Sequence, residues 1–327
     1  MRQRLEETLI MTDKSTLDVT VLAGGISHER DVSLRSGARL SDELRRAGHR
    51  VTIREPNATL FADVAENAPD VVWPALHGAS GEDGALQALL RARSIRYVGS
   101  HSEAAGLAWF KPTAKVLVDR AGFATPRWLS LPQETFRELG AGGVLGEVLA
   151  GIGTPAVVKP AQGGSAQGVT IVDDASALPR AMVDAYTYSD TALVEQKVTG
   201  VELAIAVIDT GDGPRALPAV EIEPVSGVYS FEARYNAGET MFYAPARIDD
   251  DVADRAASTA VEIHNLLGLR HISRIDVIVD AEGTVWFLEA NMLPGLTETS
   301  LVPQAIEAAG LTLSDVYSDL VARALVD

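Results

Sequence analysis

Cysteine is absent from this 327-residue chain. That excludes disulfides, thiolate nucleophiles and thiolate-bound zinc, and it suits a reducing compartment. Long apolar runs are missing too. No stretch of about 18 apolar residues occurs, so no membrane-spanning helix and no membrane partner is expected. The opening residues, MRQRLEETLIMTDKSTLD, are mostly polar and lack the apolar centre of a secretion signal, so a cytoplasmic location is expected. Residues 1–16 are expected to be a flexible extension, with Met11 as an alternative start. Positive charge is scarce: 28 Lys and Arg face 45 Asp and Glu, a net charge of −17. This argues against a nucleic-acid partner, because phosphate neutralisation needs clustered cations. The acidity serves solubility, and any anion site must be built from individual cations.

What is present describes a globular protein. Hydrophobic residues make up 46% and charged residues 22%, enough apolar material for a large core, and the length suggests two or three units. A strand over 18–23, a helix over 32–47, a strand over 50–54, a strand over 71–76 and a helix over 84–93 predict a parallel sheet with covering helices. Ligands of such sheets sit at the carboxyl ends of the strands. The loops there, GGISHERDVS and HGASGEDGALQ, are rich in glycine and polar groups. A helix over 111–121 opens with Lys111-Pro112. A helix over 132–139 and a Gly-rich connector over 141–153 follow. Strands over 156–159 and 169–172 flank the loop GGSAQG, before a helix over 175–186 and a strand over 192–196. From Glu202 the alternating stretches LAIAVI, PAVEIEPV and FYAPARI predict an antiparallel sheet, packed by a helix over 250–267 and closed by helices over 301–325. The fold class is therefore α/β (α+β). The expected units are 17–105, 106–197 and 198–327.

The chemistry concentrates in 273–300, SRIDVIVDAEGTVWFLEANMLPGLTETS. Two apolar runs flank the turn-rich Asp280-Ala281-Glu282-Gly283, which predicts a hairpin. Pairing the runs brings Asp276, Glu289 and Asn291 to one end, and these hard oxygen donors suit Mg²⁺ held against phosphates. Arg274, two residues before Asp276, shares its face and offers a cation where negative charge develops. The loop 163–168 lets backbone N–H groups approach phosphate closely, although a tight hairpin would look the same. Lys159 just before it adds a cation. Lys111 and Lys115, one helical turn apart, place another near the same phosphates or are surface lysines. The segment 195–202 reads as strand, turn, strand, where backbone groups can meet an adenine edge and a carboxylate the ribose.

Taken in order, the motifs GG-x-S-x-ER-x-V-S, HG-x-x-GEDG-x-x-Q, VKP-x-x-x-GS-x-x-G, G-x-E, E-A-x-Y, R-x-D and E-x-N-x-x-PG-x-T-x-x-S resemble the D-alanine–D-alanine ligase family of ATP-grasp enzymes. The resemblance runs from about Val19 to the end of the chain. It implies a three-domain carboxylate–amine ligase that uses ATP and two Mg²⁺ or Mn²⁺ ions, is a homodimer, and supplies D-alanyl-D-alanine for peptidoglycan. Glu29 would bind the first D-alanine's ammonium and His77 would lie near its carboxylate. Ser300 and the Leu301 amide would take the second substrate's carboxylate. Glu29, Ser165 and Tyr235 resemble a hydrogen-bonded trio linking the domains. ATP would be held by Lys111, Lys159, Glu195, Val198 and Glu202, with Arg234 near the γ-phosphate. Asp276, Glu289 and Asn291 would hold the metals, Glu289 being shared. Arg274, with backbone N–H near Gly295, would stabilise the acyl phosphate and the later oxyanion.

The chain departs from the family's pattern at four places. Phe110 precedes Lys111 where Asp is usual, and Ala166 follows Ser165 where a second Ser is common. Arg234 replaces the Lys before Tyr235, and Gln196 follows Glu195 where Lys is frequent. No metal donor is lost. The alternatives are an ATP-grasp ligase of a specialised biosynthetic or resistance pathway with another amino acid, and a nucleotide-binding regulator without turnover.

Overall fold

All four residues of Val71–Pro74 and four of the five in Asp18–Leu22 are buried, the pattern of strands covered on both faces. With Arg50–Arg54 they form a parallel sheet, in a computed structural model that describes residues 16–225, 227, 229, 233–234, 236 and 238–326. Tyr235 and nearly all of the expected N-terminal extension lie outside the described residues. We number the strands β1 (Asp18–Leu22), β2 (Arg50–Arg54) and β3 (Val71–Pro74), in the order β2-β1-β3. Helix Arg30–Arg46 crosses from β1 to β2 and buries Leu40 and Leu44 against the sheet.

A second sheet is antiparallel: β4 (Trp128–Pro132), β5 (Ala156–Pro160), β6 (Thr170–Val172) and β7 (Thr191–Gln196), in the order β4-β7-β5-β6. Two expectations fail in this part. Trp128–Pro132 is an edge strand that the sequence reading passed over, with Pro132 at its end. The expected connector over 141–153 is instead a helix, Ala141–Gly151. Its glycines each cost about 1 kcal/mol relative to alanine. Val144 and Val148, four apart, are buried, and Val148 packs into the sheet's core with Leu178 and Met182. Burial of that stripe, not propensity, makes the helix.

The third sheet comprises β8 (Val201–Ile208), β9 (Arg215–Ala216), β10 (Val220–Pro224), β11 (Thr240–Tyr243), β12 (Ile272–Val279) and β13 (Val285–Asn291). Its order is β11-β10-β8-β12-β13, with β9 on β8. Helix Asp250–Leu266 packs on it through Ala256, Ala260 and Ile263. The expected hairpin forms, its turn tied by Asp280, which accepts from Glu282 N, Thr284 N and Trp286 Nε1.

One irregularity on β13 decides the site. Asp276 pairs with Glu289, but the next residue, Val277, pairs with Phe287, so Leu288 is a bulge. Strict alternation would put Phe287 on the face of Glu289 and Asn291. The extra residue breaks that parity. Phe287 and Ala290 enter the core with Ile275 and Val277, while Glu289 and Asn291 turn to the opposite face.

The C-terminal helix Leu313–Arg323 returns to the first sheet, where Val316, Tyr317 and Leu320 share a core with Val19, Val21 and Leu44. Tyr317 meets Trp73 edge-on, with ring centroids 5.6 Å apart. Its buried hydroxyl has no hydrogen-bond partner among the described residues, and burial pushes its pKa up. Truncating the ring opens a cavity, whereas removing the hydroxyl removes only a desolvated group. Tyr317→Ala is therefore expected to cost about 3–5 kcal/mol. Tyr317→Phe should change stability by less than about 1 kcal/mol. Urea unfolding of both variants checks this, and equal losses would refute it.

Candidate active site

Arg274 and Asp276 stand two apart on β12, directly opposite Asn291 and Glu289 on β13. The four side chains therefore form one polar patch on one sheet face. Arg274 donates from Nε and Nη2 to the two Asp276 oxygens, both at 2.7 Å. Among the described residues two of its five donors are engaged, both by Asp276, and its side chain borders the smaller cavity. Burial alone would lower the Arg274 pKa, but Asp276 and Glu289 more than offset this and hold it charged. Burial would raise the Glu289 carboxyl, yet Lys111, Lys159, Arg234 and Arg274 together hold it well below the usual range. Lys111 Nζ lies 3.3 Å from Glu289 and donates to Gly163 O at 2.6 Å.

Two adjoining cavities meet over this patch. The larger encloses about 400 Å³, ample for a small-molecule ligand. Val157 and Ile171 wall it from the second sheet and Ile278 and Leu288 from the third, an apolar slot for a flat ring. Lys159, Glu195, Val198, Glu202 and Asp276 also line it. The smaller cavity gathers Glu29, His77, Ser165, Arg274, Asn291, Gly295, Ser300 and Leu301. Lys111, Gly163, Gly164, Arg234, Tyr229 and Glu289 line both. Apart from Lys115, every described residue singled out from the sequence as a site residue thus borders one of two adjoining spaces. Tyr235 lies outside the described residues.

The glycine loop closes on the first unit. Ser165, itself in the left-handed region at φ 52°, donates its hydroxyl to Glu29 Oε1. Glycine eases the approach, since a Cβ at Gly164 would sit 3.0 Å from that carboxylate, which would have to shift slightly. His28 beside Glu29 meets Tyr188 edge-on at 5.7 Å across the same gap. Arg234, in place of the usual lysine, lays its guanidinium 4.1 Å from the Tyr229 ring centroid, a stacking that an ammonium cannot reproduce.

His77 behaves differently from a simple substrate contact. Its Nδ1 donates to Leu293 O at 3.1 Å, and its Nε2 pairs with Ser36 Oγ at 2.9 Å. Ser36 Oγ in turn accepts from Leu296 N at 3.1 Å. Both ring nitrogens are therefore engaged in bracing the 293–296 turn that carries Gly295. Ser300 occupies the N-cap position of helix Leu301–Ala308 in an extended conformation without a side-chain bond to the helix, and its Oγ accepts instead from Thr297 N at 2.9 Å. The helix N-terminus favours negative charge at that end of the cavity.

The sequence reading missed several participants. Glu82 reads by default as a helix-start carboxylate, but it is buried in the smaller cavity, 3.7 Å from His77 Nδ1. Burial pushes its carboxyl up against the opposing pull of His77. Ser36 is one of four small residues, with Ser33, Gly37 and Ser41, on the buried face of Arg30–Arg46, and that stripe was its only signal. Lys115 is no surface lysine, nor does it line either cavity. It is fully buried behind Glu195, and burial brings its pKa down to about 8 although Glu195 opposes this. Glu195 itself joins Lys115 at 2.7 Å and Lys159 at 2.6 Å, so its oxygens serve cations before any ribose.

Glu202 is half-buried near Asp276 and Glu289. Burial pushes its carboxyl up to about 7, against Arg234 and with those two acids adding to the rise. Its folded pKa exceeds its unfolded value near 4.5, so the folded protein binds the extra proton between those pH values. Stability at this site therefore falls as pH rises from about 4.5 to 7. Glu202→Gln should be more stable than the parent by about 1–2 kcal/mol at pH 8, with the gain largely gone at pH 4.5. Urea unfolding in EDTA without nucleotide measures the gap, and a gap independent of pH would exclude Glu202 as the titrating group.

Comparison with known proteins places this geometry. The family described as "D-ala D-ala ligase C-terminus" matches residues 117–322, and "D-ala D-ala ligase N-terminus" matches residues 54–100. A D-alanine–D-alanine ligase from Anaeromyxobacter sp. (strain Fw109-5) is 39% identical over 91% of this chain and 94% of its own length. One from Gloeobacter violaceus is 39% identical over 94% of this chain and 99% of its own. Among solved structures, the D-alanine–D-alanine ligase from Bacillus anthracis complexed with ATP has a TM-score of 0.75 at 26% identity, covering 95% of this chain and 97% of its own. A D-Ala:D-Ser ligase from Enterococcus faecalis has a TM-score of 0.80 at 25% identity, covering 95% of this chain and 100% of its own. Two family halves in order, relatives matched nearly end to end and a shared three-sheet fold leave one assignment: the chain belongs to the D-alanine–D-alanine ligase family.

Proposed function

We propose that this protein joins two D-alanines into D-alanyl-D-alanine at the expense of ATP, through an acyl phosphate, for peptidoglycan precursor synthesis. The observation that carries this reading is the common wall of the two cavities. Lys111, Arg234, Glu289 and the glycine loop border both, so a nucleotide in the larger would present its terminal phosphate to an amino acid in the smaller. Phosphoryl transfer depends mainly on such positioning and on charge neutralisation. The high identity to curated D-alanine–D-alanine ligases favours D-alanine as both substrates. A homodimer in the cytoplasm belongs to the same reading and rests on the family resemblance.

In this reading the adenine enters the slot between Val157, Ile171, Ile278 and Leu288, and Lys111, Lys159 and Arg234 meet the phosphates. Glu29, fixed by Ser165, takes the first D-alanine's ammonium and aims its carboxylate at the γ-phosphorus. An oxygen–phosphorus bond forms as the bond to ADP breaks. The second D-alanine, its carboxylate at Ser300 and the Leu301 amide, attacks the acyl carbon with its amine, and the carbon–oxygen bond to phosphate breaks. Arg274 and the backbone near Gly295 stabilise the intervening oxyanion.

The donor set also fits Mg²⁺. Asp276 and Glu289 oppose each other with Asn291 beside them, and a carboxylate bound to Arg274 keeps lone pairs for a cation. When bound there, the metal would neutralise phosphate oxygens. Among the described residues no three His, Cys, Asp or Glu form a metal cluster, so the site depends on Asn291 and on phosphate oxygens for its remaining donors.

Two measurements test the reading. Mass spectrometry of products from ATP with D-alanine, D-serine and D-lactate should show D-alanyl-D-alanine as the main product. Formation of D-alanyl-D-serine instead would move the protein to the D-Ala:D-Ser class. Arg274→Ala should lower kcat by about 10²–10³ while ATP affinity stays within about threefold. A loss under about tenfold would remove Arg274 from the oxyanion role.

A further inference from the structure

Behind the wall of the larger cavity lies a buried charge cluster whose innermost member, Lys115, the reaction as described does not use. Lys115, fully buried on helix Lys111–Arg120, places Nζ 2.7 Å from Glu195 Oε1 and 2.6 Å from Thr125 Oγ1. It also sits 5.1 Å from the centroid of the Trp128 ring. The Thr125 hydroxyl passes its own hydrogen to Phe287 O at 2.9 Å, which ties the cluster to the strand carrying Glu289. The other Glu195 oxygen lies 2.6 Å from Lys159 Nζ, and Lys159 borders the cavity where Lys115 does not.

One carboxylate thus stands between two ammoniums. A carboxylate paired with Lys159 alone would neutralise the cation that faces the nucleotide. With Lys115 on its far oxygen the cluster keeps one net positive charge, on the side that opens to the cavity. Burying an ammonium for structure alone is a poor bargain, since apolar residues of similar volume usually stabilise at least as well.

We propose that Lys115 is a positioning residue for nucleotide binding: through Glu195 it leaves the charge of Lys159 available to the phosphates. The proposal rests on the reading of the larger cavity as a nucleotide site.

The test measures ATP affinity by calorimetry, and steady-state kinetics, for the parent, Lys115→Gln, Lys115→Arg and the double variant Lys115→Gln/Glu195→Gln. Lys115→Gln keeps a hydrogen-bond donor and removes the charge. It should weaken ATP binding and raise KM for ATP about tenfold, with kcat within about twofold. The double variant removes the neutralising carboxylate as well, and should bind ATP several-fold more tightly than Lys115→Gln alone. A merely structural lysine predicts the opposite, a further loss. Lys115→Arg should stay within about threefold of the parent, and it carries the test should Lys115→Gln not fold. Unchanged affinity in Lys115→Gln, additive losses in the double variant, or a tenfold loss in folded Lys115→Arg each overturn the proposal. A parent that binds no ATP at all refutes instead the nucleotide reading beneath it.

Discussion

The pairing of β12 with β13, with Leu288 as the extra residue, is the constraint on which the rest of the site depends. Without the bulge, the run Phe287, Glu289, Asn291 would share a face, and either an aromatic ring would enter the site or the acids would enter the core. A buried, unpaired carboxylate costs several kcal/mol, and so does exposing a ring that fills the core. The bulge resolves the conflict by one residue. It also turns Leu288 into the slot beside Ile278, so a single irregularity supplies both the polar patch and part of the apolar wall.

Around that hairpin an acidic protein gathers its cations. The chain carries a net charge of −17, yet Lys111, Lys115, Lys159, Arg234 and Arg274 converge within one region, interleaved with Glu195, Glu289 and Asp276. Burial would shift Lys159, Glu195, Arg274 and Glu289 toward their neutral forms, and neighbours of opposite sign more than offset this at all four. Lys115 and Glu202 are the exceptions. Each is left with a pKa near neutrality because burial outweighs its partners. Four groups are thus held charged against burial, while Lys115 behind the larger cavity and Glu202 on its wall titrate nearer neutrality.

The first unit takes part as a wall rather than as a separate body. Glu29 reaches the glycine loop through Ser165, and His77 with Ser36 braces the turn that holds Gly295. On the far side, Tyr317 and its neighbours fuse the C-terminal helix to the core of β1 and β3. Of these contacts, Ser36 with Leu296 and Trp73 with Tyr317 join segments more than two hundred residues apart. They explain why a motif near the start of the chain and another near its end enclose the same space.

Much of this was legible from residue order. Glycine at 163, 164 and 168, the Asp-x-Glu-Gly turn of the hairpin and the Arg274–Asp276 spacing are local statements, and local backbone preferences carry them into the fold. The helix at Ala141–Gly151 and the strand Trp128–Pro132 were not legible, because packing against a neighbouring core overrode weak propensity in one and edge pairing recruited a short segment in the other. Ser36 went unnoticed, and the burial of Glu82 and Lys115 was not legible, because these outcomes depend on packing against other segments. By itself the sequence determined the family, the hairpin and which side chains are chemically able to meet ATP and an amino acid. Only the tertiary structure decided which lysines face the cavity, where Glu195 points and how His77 is held. Those outcomes depend on burial and on contacts between distant segments, which no local pattern of residues encodes.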